Sequence, residues 1–263
     1  MPELPEVETT VRELRKKISG KKLRKLFIFD RRLGRLRLPL PLTIHSVDRH
    51  GKYIVLHSDF GKILLHLRMS GRLLLKREQS KISVLPEKHE RARFVFSGGS
   101  VLRFFDPRRF GTLEWRKDGL PEMGVNPMSS EFDQESFRDI LHSRSRGLKA
   151  LLLDQKLVAG LGNIYADESL WHAKVNPRRA SDSLSRAEIQ HLTASIKEVL
   201  REAIKRGGFT LRDYRKPSGG EGSYQKFRKV YDREGLPCSR CRSKIERVKI
   251  GGRSTYFCPR CQK

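Results

Sequence analysis

Four cysteines near the carboxyl terminus constrain the fold of this chain more than any other feature. Cys238 and Cys241 are separated by two residues, sixteen residues follow, and Cys258 and Cys261 repeat the two-residue spacing. Two such pairs are the ligand pattern of a tetrahedral zinc site. Because four thiolates complete the coordination sphere, we expect one structural Zn²⁺ that stabilises a segment too short to build its own core.

The residues between the cysteine pairs predict a β-hairpin. The runs 244–250 and 254–257 flank Gly251, Gly252 and Arg253, and consecutive glycines favour a tight turn. Arg253 would then lie near the tip of a zinc finger. On a basic finger we favour a phosphate contact for this side chain over an idle, solvated arginine.

The net charge of the chain calls for an anionic partner. Its 263 residues include 56 Lys and Arg against 30 Asp and Glu, for a formal charge of +26. The excess is shared by the two halves of the chain on either side of Glu131, which suits a groove that follows a polyanion. Nucleic acid therefore explains the composition better than a small acidic metabolite or a merely soluble basic surface. No 18-residue apolar run and no signal peptide is found, so we expect a cytoplasmic protein.

The first half of the chain predicts a short opening helix and then an antiparallel β-sandwich. Apolar residues recur at helical spacing from Val7 to Ile18, and Gly20 follows as a stop. Short β-like runs separated by turn residues come next, at 26–29, 53–57, 63–67, 93–96 and 101–105. The stretch 121–133, rich in Pro, Gly and Ser, marks the boundary to a helical region.

The second half predicts helices, a glycine turn and a loop. The glycines before Asn163 lack the third glycine of a dinucleotide fingerprint, so we predict a tight turn between two helices. Such a turn can hold phosphate with Asn163 and nearby amides, or it can be an ordinary glycine turn. A further helix begins at Ser185, which forms a capping box with Glu188. The stretch 207–224 is too glycine-rich to pack tightly, which predicts a mobile loop or a plain linker.

The start of the chain carries a reactive group once Met1 is removed, as is usual before proline. Pro2 is then a free secondary amine, which can attack an aldehyde-like sugar carbon to give a cationic iminium. This iminium draws electrons and drives elimination of the neighbouring phosphate, and the adjacent Glu3 can act as general acid. Met-Pro is also a frequent start without catalytic meaning, and the residues alone leave both interpretations open.

Three motifs together resemble the formamidopyrimidine-DNA glycosylases: MPELPEVE at 1–8, LGNIYADESL at 161–170, and the finger that ends in GGRSTYFCPRCQK. The resemblance extends along essentially the whole chain. It implies a monomer that excises oxidised purines, such as 8-oxoguanine and formamidopyrimidines, from double-stranded DNA and then cuts the abasic site by β,δ-elimination. It also implies an α+β fold in which the β-sandwich domain is joined to a helix-two-turns-helix domain with a C-terminal zinc finger.

The resemblance assigns catalytic roles to individual residues. It makes Pro2 the Schiff-base nucleophile and Glu3 the proton donor that helps to open the sugar ring. Lys52 matches the proton donor of the β-elimination, although by itself it would be interpreted as a solvated strand lysine. Arg253 matches the finger-tip residue of the δ-elimination.

DNA contacts are implied in the same way. His89, Arg108 and Arg144 match DNA-contact positions, and Asn163 matches the turn asparagine that binds phosphate. Base flipping leaves a gap in the stack, and Met69, with Arg108 and Phe110, matches the wedge that fills this gap.

The predicted domains are the catalytic sandwich at 1–120, a linker at 121–133, the helical domain at 134–228 with a lesion-capping loop at 207–224, and the zinc finger at 229–263.

The alternative function is that of a non-catalytic damaged-DNA-binding protein on the same scaffold. Such a protein has no need of Pro2, Glu3 and Lys52 together, and all three are present. A zinc-ribbon RNA-binding protein leaves the amino-terminal motif unexplained. We expect a bacterial-type protein associated with the nucleoid.

Overall fold

The computed structural model describes residues 1–34, 36–78, 83–143, 145–210 and 213–263. This part of the chain divides into two units. The first consists of Met1–Pro121 with Ile204–Gln225, and the second of Glu122–Ala203 with Lys226–Lys263. The segment that follows the last long helix thus groups with the first unit, and the domain boundaries given above stay a prediction.

The first unit contains one helix and eight antiparallel strands. Their bounds are α1 Leu4–Ile18, β1 Lys22–Ile28, β2 Leu42–His50, β3 Tyr53–Ser58, β4 Gly61–His66, β5 Arg72–Arg77, β6 Glu90–Phe96, β7 Ser100–Phe105 and β8 Thr112–Arg116. The strand order is β5-β7-β6-β1-β2-β3-β4-β8, and β1 pairs with β2 only through Lys22 and Leu23. This short junction divides the strands into two four-stranded halves. The predicted α+β fold class, with an opening helix before an antiparallel β-sandwich, is confirmed.

Helix α1 supplies one side of the core of this unit. Val7, Val11, Leu14 and Ile18 are fully buried and pack with apolar side chains from the strands of both halves. The spacing of these four residues puts them on one face of the helix, while its basic residues point to solvent. Gly20, with a φ of 78°, ends the helical segment as predicted.

The second unit is helical and ends in a two-stranded hairpin. Its elements are α2 Gln134–His142, α3 Leu148–Leu152, α4 Asn163–His172, α5 Arg186–Lys205, β9 Glu246–Ile250 and β10 Arg253–Phe257; the last two residues of α5 belong to the first unit. The capping box of α5 is confirmed, because Ser185 N donates to Glu188 Oε2 at 2.8 Å and Glu188 N donates to Ser185 Oγ at 3.3 Å.

The hairpin has the tight glycine turn that the sequence predicts. Gly251 and Gly252 both have positive φ, at 54° and 76°, as a two-residue hairpin turn requires. Arg253 pairs with Ile250 and is therefore the first residue of β10 rather than part of the turn. In the described ranges, no helix combines the length and the apolar character needed to cross a bilayer.

Candidate functional site

The two residues that follow the exposed Met1 are buried in the first unit. Pro2 is buried and Glu3 is 2% exposed, although chain termini are ordinarily solvated. Glu3 caps α1: its backbone N–H donates to Glu6 Oε2 at 2.7 Å, and the two residues form a reciprocal capping box. The structure therefore holds Pro2 and Glu3 at a defined place at the start of a helix.

Lys52 lies in a two-residue turn and is nevertheless buried. Strands β2 and β3 pair as far as His50 and Tyr53, which leaves Gly51 and Lys52 as the turn, with a φ of 55° at Gly51. A lysine at a hairpin turn ordinarily reaches water, but Lys52 is only 5% exposed. Its interpretation as a solvated strand lysine is wrong.

A histidine that the sequence analysis did not single out faces this turn. Burial lowers the pKa of His66 to about 3, and the positive charges of Arg68 and Lys52 add to the effect. The ring is therefore neutral at physiological pH. Its Nδ1 accepts the backbone N–H of Arg68 at 3.0 Å, and its ring meets that of Tyr53 edge-on at 4.7 Å.

An ion pair connects α1 with the turn that carries Lys52. Arg49 Nε lies 3.0 Å from Glu8 Oε2, and Arg49 Nη1 donates to Gly51 O at 3.1 Å. Burial acts to raise the pKa of Glu8, but hydrogen bonds from Arg12 and Arg49 outweigh it and lower that pKa. The helix that starts at the catalytic candidates is thus fastened to the hairpin through a charged side chain on each element.

The segment after α5 packs against Glu6. Phe209 N donates to Glu6 Oε1 at 2.7 Å, and Tyr214 Oη donates to Glu6 O at 3.1 Å. A Cβ on residue 222 would lie 2.2 Å from Gly208 O, which is too close for any side chain. Only glycine at position 222 therefore permits the backbones of Gly208 and Gly222 to approach this closely. The prediction that 207–224 is too glycine-rich to pack tightly is wrong for its described residues, because the glycine allows this contact.

The three predicted wedge residues lie on two turns of the first unit. Met69 stands between β4 and β5, and Arg108 and Phe110 stand between β7 and β8. Met69 is 43% and Phe110 50% exposed, which is unusual for large apolar side chains that have no partner surface. The guanidinium of Arg108 lies over the ring of Phe110, 5.0 Å from its centroid.

Asp106 joins these turns, and sequence reasoning missed it. Its carboxylate accepts a hydrogen bond from Ser70 Oγ and one from Gly111 N at 2.7 Å, and its backbone N–H donates to His89 O at 3.0 Å. Ser70 Oγ in turn accepts the backbone N–H of Arg108 at 3.2 Å. One buried aspartate thus connects three predicted DNA-contacting segments. An acidic residue at the start of the otherwise basic DPRRFG motif was the available signal.

The second unit brings Asn163 and the hairpin together. Asn163 is the first residue of α4, and its side-chain amide donates to Ser254 O at 2.8 Å, one residue from Arg253. Arg253 is exposed and forms no ion pair with the described residues. Arg144, the remaining predicted DNA contact, lies outside the described residues.

Helix α4 fastens the hairpin through buried polar side chains. Lys149 Nζ lies 2.6 Å from Asp167 Oδ1 and donates to Thr255 Oγ1 at 2.8 Å, and both charged side chains are fully buried. Burial raises the pKa of Asp167 to about 7, against the opposing effects of Lys149 and of the Tyr256 amide. The next residue, Glu168, accepts backbone N–H groups from the chain that leads to the zinc finger.

The four cysteines fit a zinc ion. Their Sγ atoms all lie within 4.8 Å of one another, with Cys241 and Cys258 at 3.4 Å and Cys238 and Cys261 at 3.9 Å. Tetrahedral coordination at the usual Zn–S distance places sulfurs roughly 3.8 Å apart. Trp171 Nε1 donates to Cys238 Sγ at 3.5 Å, a contact from α4 that helps to orient the thiolate. The donor set closes around one structural zinc.

Family models match almost the entire chain. The formamidopyrimidine-DNA glycosylase N-terminal domain matches residues 1–113, the H2TH domain of the same enzymes matches 123–215, and a zinc finger found in FPG and IleRS matches 235–263. The chain belongs to the formamidopyrimidine-DNA glycosylase family. A formamidopyrimidine-DNA glycosylase of Desulforamulus reducens is 42% identical over 279 residues, which cover 100% of this chain and 99% of that protein.

Solved structures of the family agree with the fold. A MutM in complex with DNA that contains carbocyclic 8-oxo-G is 37% identical, with a TM-score of 0.89 and 100% of both chains covered. The Lactococcus lactis Fpg in complex with abasic-site DNA is 38% identical, with a TM-score of 0.88 and 99% of each chain covered. The match to the zinc-finger model agrees with the four clustered cysteines.

Proposed function

We propose that this protein is a base-excision repair enzyme that removes oxidised purines, including 8-oxoguanine and formamidopyrimidines, from double-stranded DNA and then cleaves the abasic site. The observation that carries the proposal is the burial of Pro2, Glu3 and Lys52 in one unit, since a chain start and a turn lysine are ordinarily solvated. Relatives with 8-oxo-G and abasic-site DNA bound support the substrate class.

Removal of Met1 makes the nitrogen of Pro2 a secondary amine. Its lone pair forms a bond to the sugar carbon C1′ as the bond from C1′ to the base breaks, and the proton that the proline nitrogen then loses balances the one that the departing base takes up. The nitrogen next forms a double bond to C1′ as the bond from C1′ to the ring oxygen breaks, and Glu3 gives a proton to that oxygen. The product is an iminium at C1′, which carries a positive charge without further protonation. Because Glu3 is capped into α1, its position relative to Pro2 is set by the helix start.

Strand cleavage follows from the iminium. Its positive charge draws the electrons of the C2′–H bond, so that the C2′ proton is lost to water and the 3′ phosphate leaves in the β-elimination. Loss of the C4′ proton to water then expels the 5′ phosphate in the δ-elimination. We assign proton transfer in the first step to Lys52 and assistance to the second step to Arg253. The neutral His66 beside Lys52 adds no charge that would repel this ammonium group.

DNA recognition is divided between the units. Met69, Arg108 and Phe110 occupy the gap that the flipped base leaves, with the Phe110 ring stacked and the Arg108 guanidinium on the orphaned base. His89 and Asn163 hold phosphates, as does Arg144. The protein acts as a monomer, holds one structural Zn²⁺, and works in the bacterial cytoplasm at the nucleoid. The domain boundaries 1–120, 121–133, 134–228 and 229–263 complete the proposal.

Lys52→Met, with Lys117→Met as the matched control at an exposed lysine, tests the assignment. Single-turnover release of 8-oxoguanine and cutting of an abasic-site duplex are measured together with duplex affinity. We expect Lys52→Met to lose about 10²–10⁴-fold in strand cutting with duplex affinity within a few fold of the parent, and Lys117→Met to match the parent. Parent-like cutting by Lys52→Met would remove Lys52 from the mechanism. If the mature parent binds the lesion but neither releases the base nor cuts, the non-catalytic binder is the correct function.

A further inference from the structure

A basic cleft lies in the first unit between the second half of α1, strand β5 and the residues around Pro217. Its volume is about 820 Å³. Glu13 supplies the single carboxylate among the lining residues. Five cations line the cleft: Lys16, Lys17, Lys21, Lys76 and Arg77. Lys16 lies roughly 18 Å along the axis of α1 from Leu4, so the cleft is far from the catalytic end of the helix.

The charges of these cations are not neutralised by ion pairs with the described residues. Lys21 Nζ donates to Ser100 Oγ at 2.6 Å, but none of the five forms an ion pair with any residue in the described ranges. The Glu13 carboxylate instead binds Ser218, since its Oε2 accepts the backbone N–H of Ser218 at 3.0 Å. Elsewhere in this unit, buried arginines are paired, as in Arg93 with Glu90. A concave site with unpaired positive charge calls for an anionic ligand from outside.

The lining favours a peptide over a nucleic acid. It contains no aromatic side chain, and single-stranded nucleic acids are held by stacking on aromatic rings as well as by charge. A cleft of this volume also does not admit a duplex. It does offer apolar contact through Leu75 and the buried Pro217, whose backbones are joined by a hydrogen bond from Leu75 N to Pro217 O at 2.8 Å. The methylene chains of the lysines extend this apolar surface.

We propose that this cleft binds an acidic peptide segment of a partner protein. Carboxylates of the peptide contact the five cations, and its aliphatic side chains pack on Leu75 and Pro217. The partner would thereby attach to the enzyme at a surface separate from the catalytic end of α1. The inference rests on the cleft alone and does not depend on the proposed function.

A fluorescein-labelled decapeptide of alternating aspartate and leucine is the probe, and its binding is followed by fluorescence anisotropy in about 150 mM salt, which screens long-range attraction. The cleft variant is Lys16→Glu/Lys17→Glu/Arg77→Glu. Its matched control carries the same change of charge at three exposed residues of β1, as Lys22→Glu/Arg24→Glu/Lys25→Glu.

We expect the cleft variant to weaken peptide binding about tenfold or more, and the β1 variant to change it less than twofold. Cutting of an abasic-site duplex by the cleft variant should match the parent, which separates this result from a failure of the catalytic proposal. A peptide of ten aspartates should bind more weakly than the alternating peptide, because it has no aliphatic side chain to pack on Leu75.

Four results would overturn the proposal: no binding of the peptide to the parent, equal loss in both variants, equal binding of the two peptides, or loss of DNA affinity in the cleft variant. The last would make the cleft part of the DNA-binding surface. If the cleft variant does not fold, a decapeptide with a photoreactive benzophenone is cross-linked to the parent. Adducts outside residues 13–21, 72–77, 98–100 and 215–218 would then contradict the assignment.

Discussion

Replacing Asp106 with alanine should destabilise the first unit and disturb the surface formed by Met69, Arg108 and Phe110. The substitution removes two hydrogen bonds to a buried carboxylate, from Ser70 Oγ and from Gly111 N. Hydrogen bonds to charged groups contribute about 1.5–3 kcal/mol each, so the free energy of unfolding should fall by about 3–6 kcal/mol. The loss is large because Asp106 is only 1% exposed and water cannot replace the carboxylate.

The same change should slow excision of the damaged base. Without the carboxylate, the turn that carries Arg108 keeps its hydrogen bond to Ser70 Oγ but loses the link through Asp106 to the turn that carries Met69. A displacement of about 1 Å at a working site can cost 10²-fold in rate. Asp106→Asn keeps the shape and one acceptor oxygen, so its effects on stability and rate should be smaller. Asp118→Asn, at an exposed turn of the same unit, is the control for the lost charge.

Urea unfolding gives the stability of each variant, and single-turnover release of 8-oxoguanine at saturating enzyme gives the excision rate. The rate is measured without urea and well below the melting temperature, so that unfolded protein does not contribute to it. If Asp106→Ala unfolds and excises like the parent, Asp106 does not organise these turns.

Three further predictions follow from single contacts. A hydrogen bond from Arg109 chiefly lowers the pKa of Asp30 to about 2. Discounted for the exposure of Arg109, the pair should contribute about 1–2 kcal/mol to the free energy of unfolding above pH 4 and lose this contribution as the pH falls towards 2. In urea unfolding, a pH-independent stability difference between the parent and Asp30→Asn would contradict the pairing. Trp171→Phe should weaken zinc binding by about 10–100-fold in competition with a chelator, since the indole N–H donates to a ligand thiolate, and unchanged affinity would exclude that role. Gly222→Ala should lower the melting temperature by several degrees, because the added Cβ would lie 2.2 Å from Gly208 O. An unchanged melting temperature would mean that the backbones of residues 208 and 222 can separate without cost.

Features with a local signal were predictable from the sequence. The apolar spacing of α1, the capping box at Ser185 and the glycine turn of the zinc finger each depend on residues within a few positions of one another. The four cysteines belong to the same class, because each Cys-x2-Cys pair places two ligands on one short turn. Such patterns determine local geometry whatever the rest of the chain does.

Strands β2, β5 and β8 were not predicted, and their positions explain why. Strands β5 and β8 are the two edges of the strand order, where charged residues are tolerated because one side of the strand is unpaired. Their sequences, RLLLKR and TLEWR, carry three charged residues of six and two of five, which weakens their β pattern. Strand β2 alternates buried and solvated residues and carries several polar side chains, which obscures its β pattern.

The residues that organise the site were missed because their partners are distant in sequence. Glu6 accepts a hydrogen bond from Phe209, 203 positions away, and Asp106 is bonded to Ser70, 36 positions away. Glu6 lies in MPELPEVE and Asp106 opens DPRRFG, but neither motif shows which distant backbone groups these carboxylates bind. Burial of Lys52 in a turn likewise depends on the packing around it and has no signature in its neighbours.

Borohydride trapping on an abasic-site duplex tests the central claim most directly. The mature protein is compared with a preparation that retains Met1, in which the proline nitrogen is an amide, and mass spectrometry defines the amino terminus of each. A covalent adduct that forms only with the mature protein and maps to Pro2 is the expected result. An equal yield of adduct from both preparations would place the nucleophile elsewhere, and no adduct from a mature protein that still binds the duplex would contradict Schiff-base chemistry altogether.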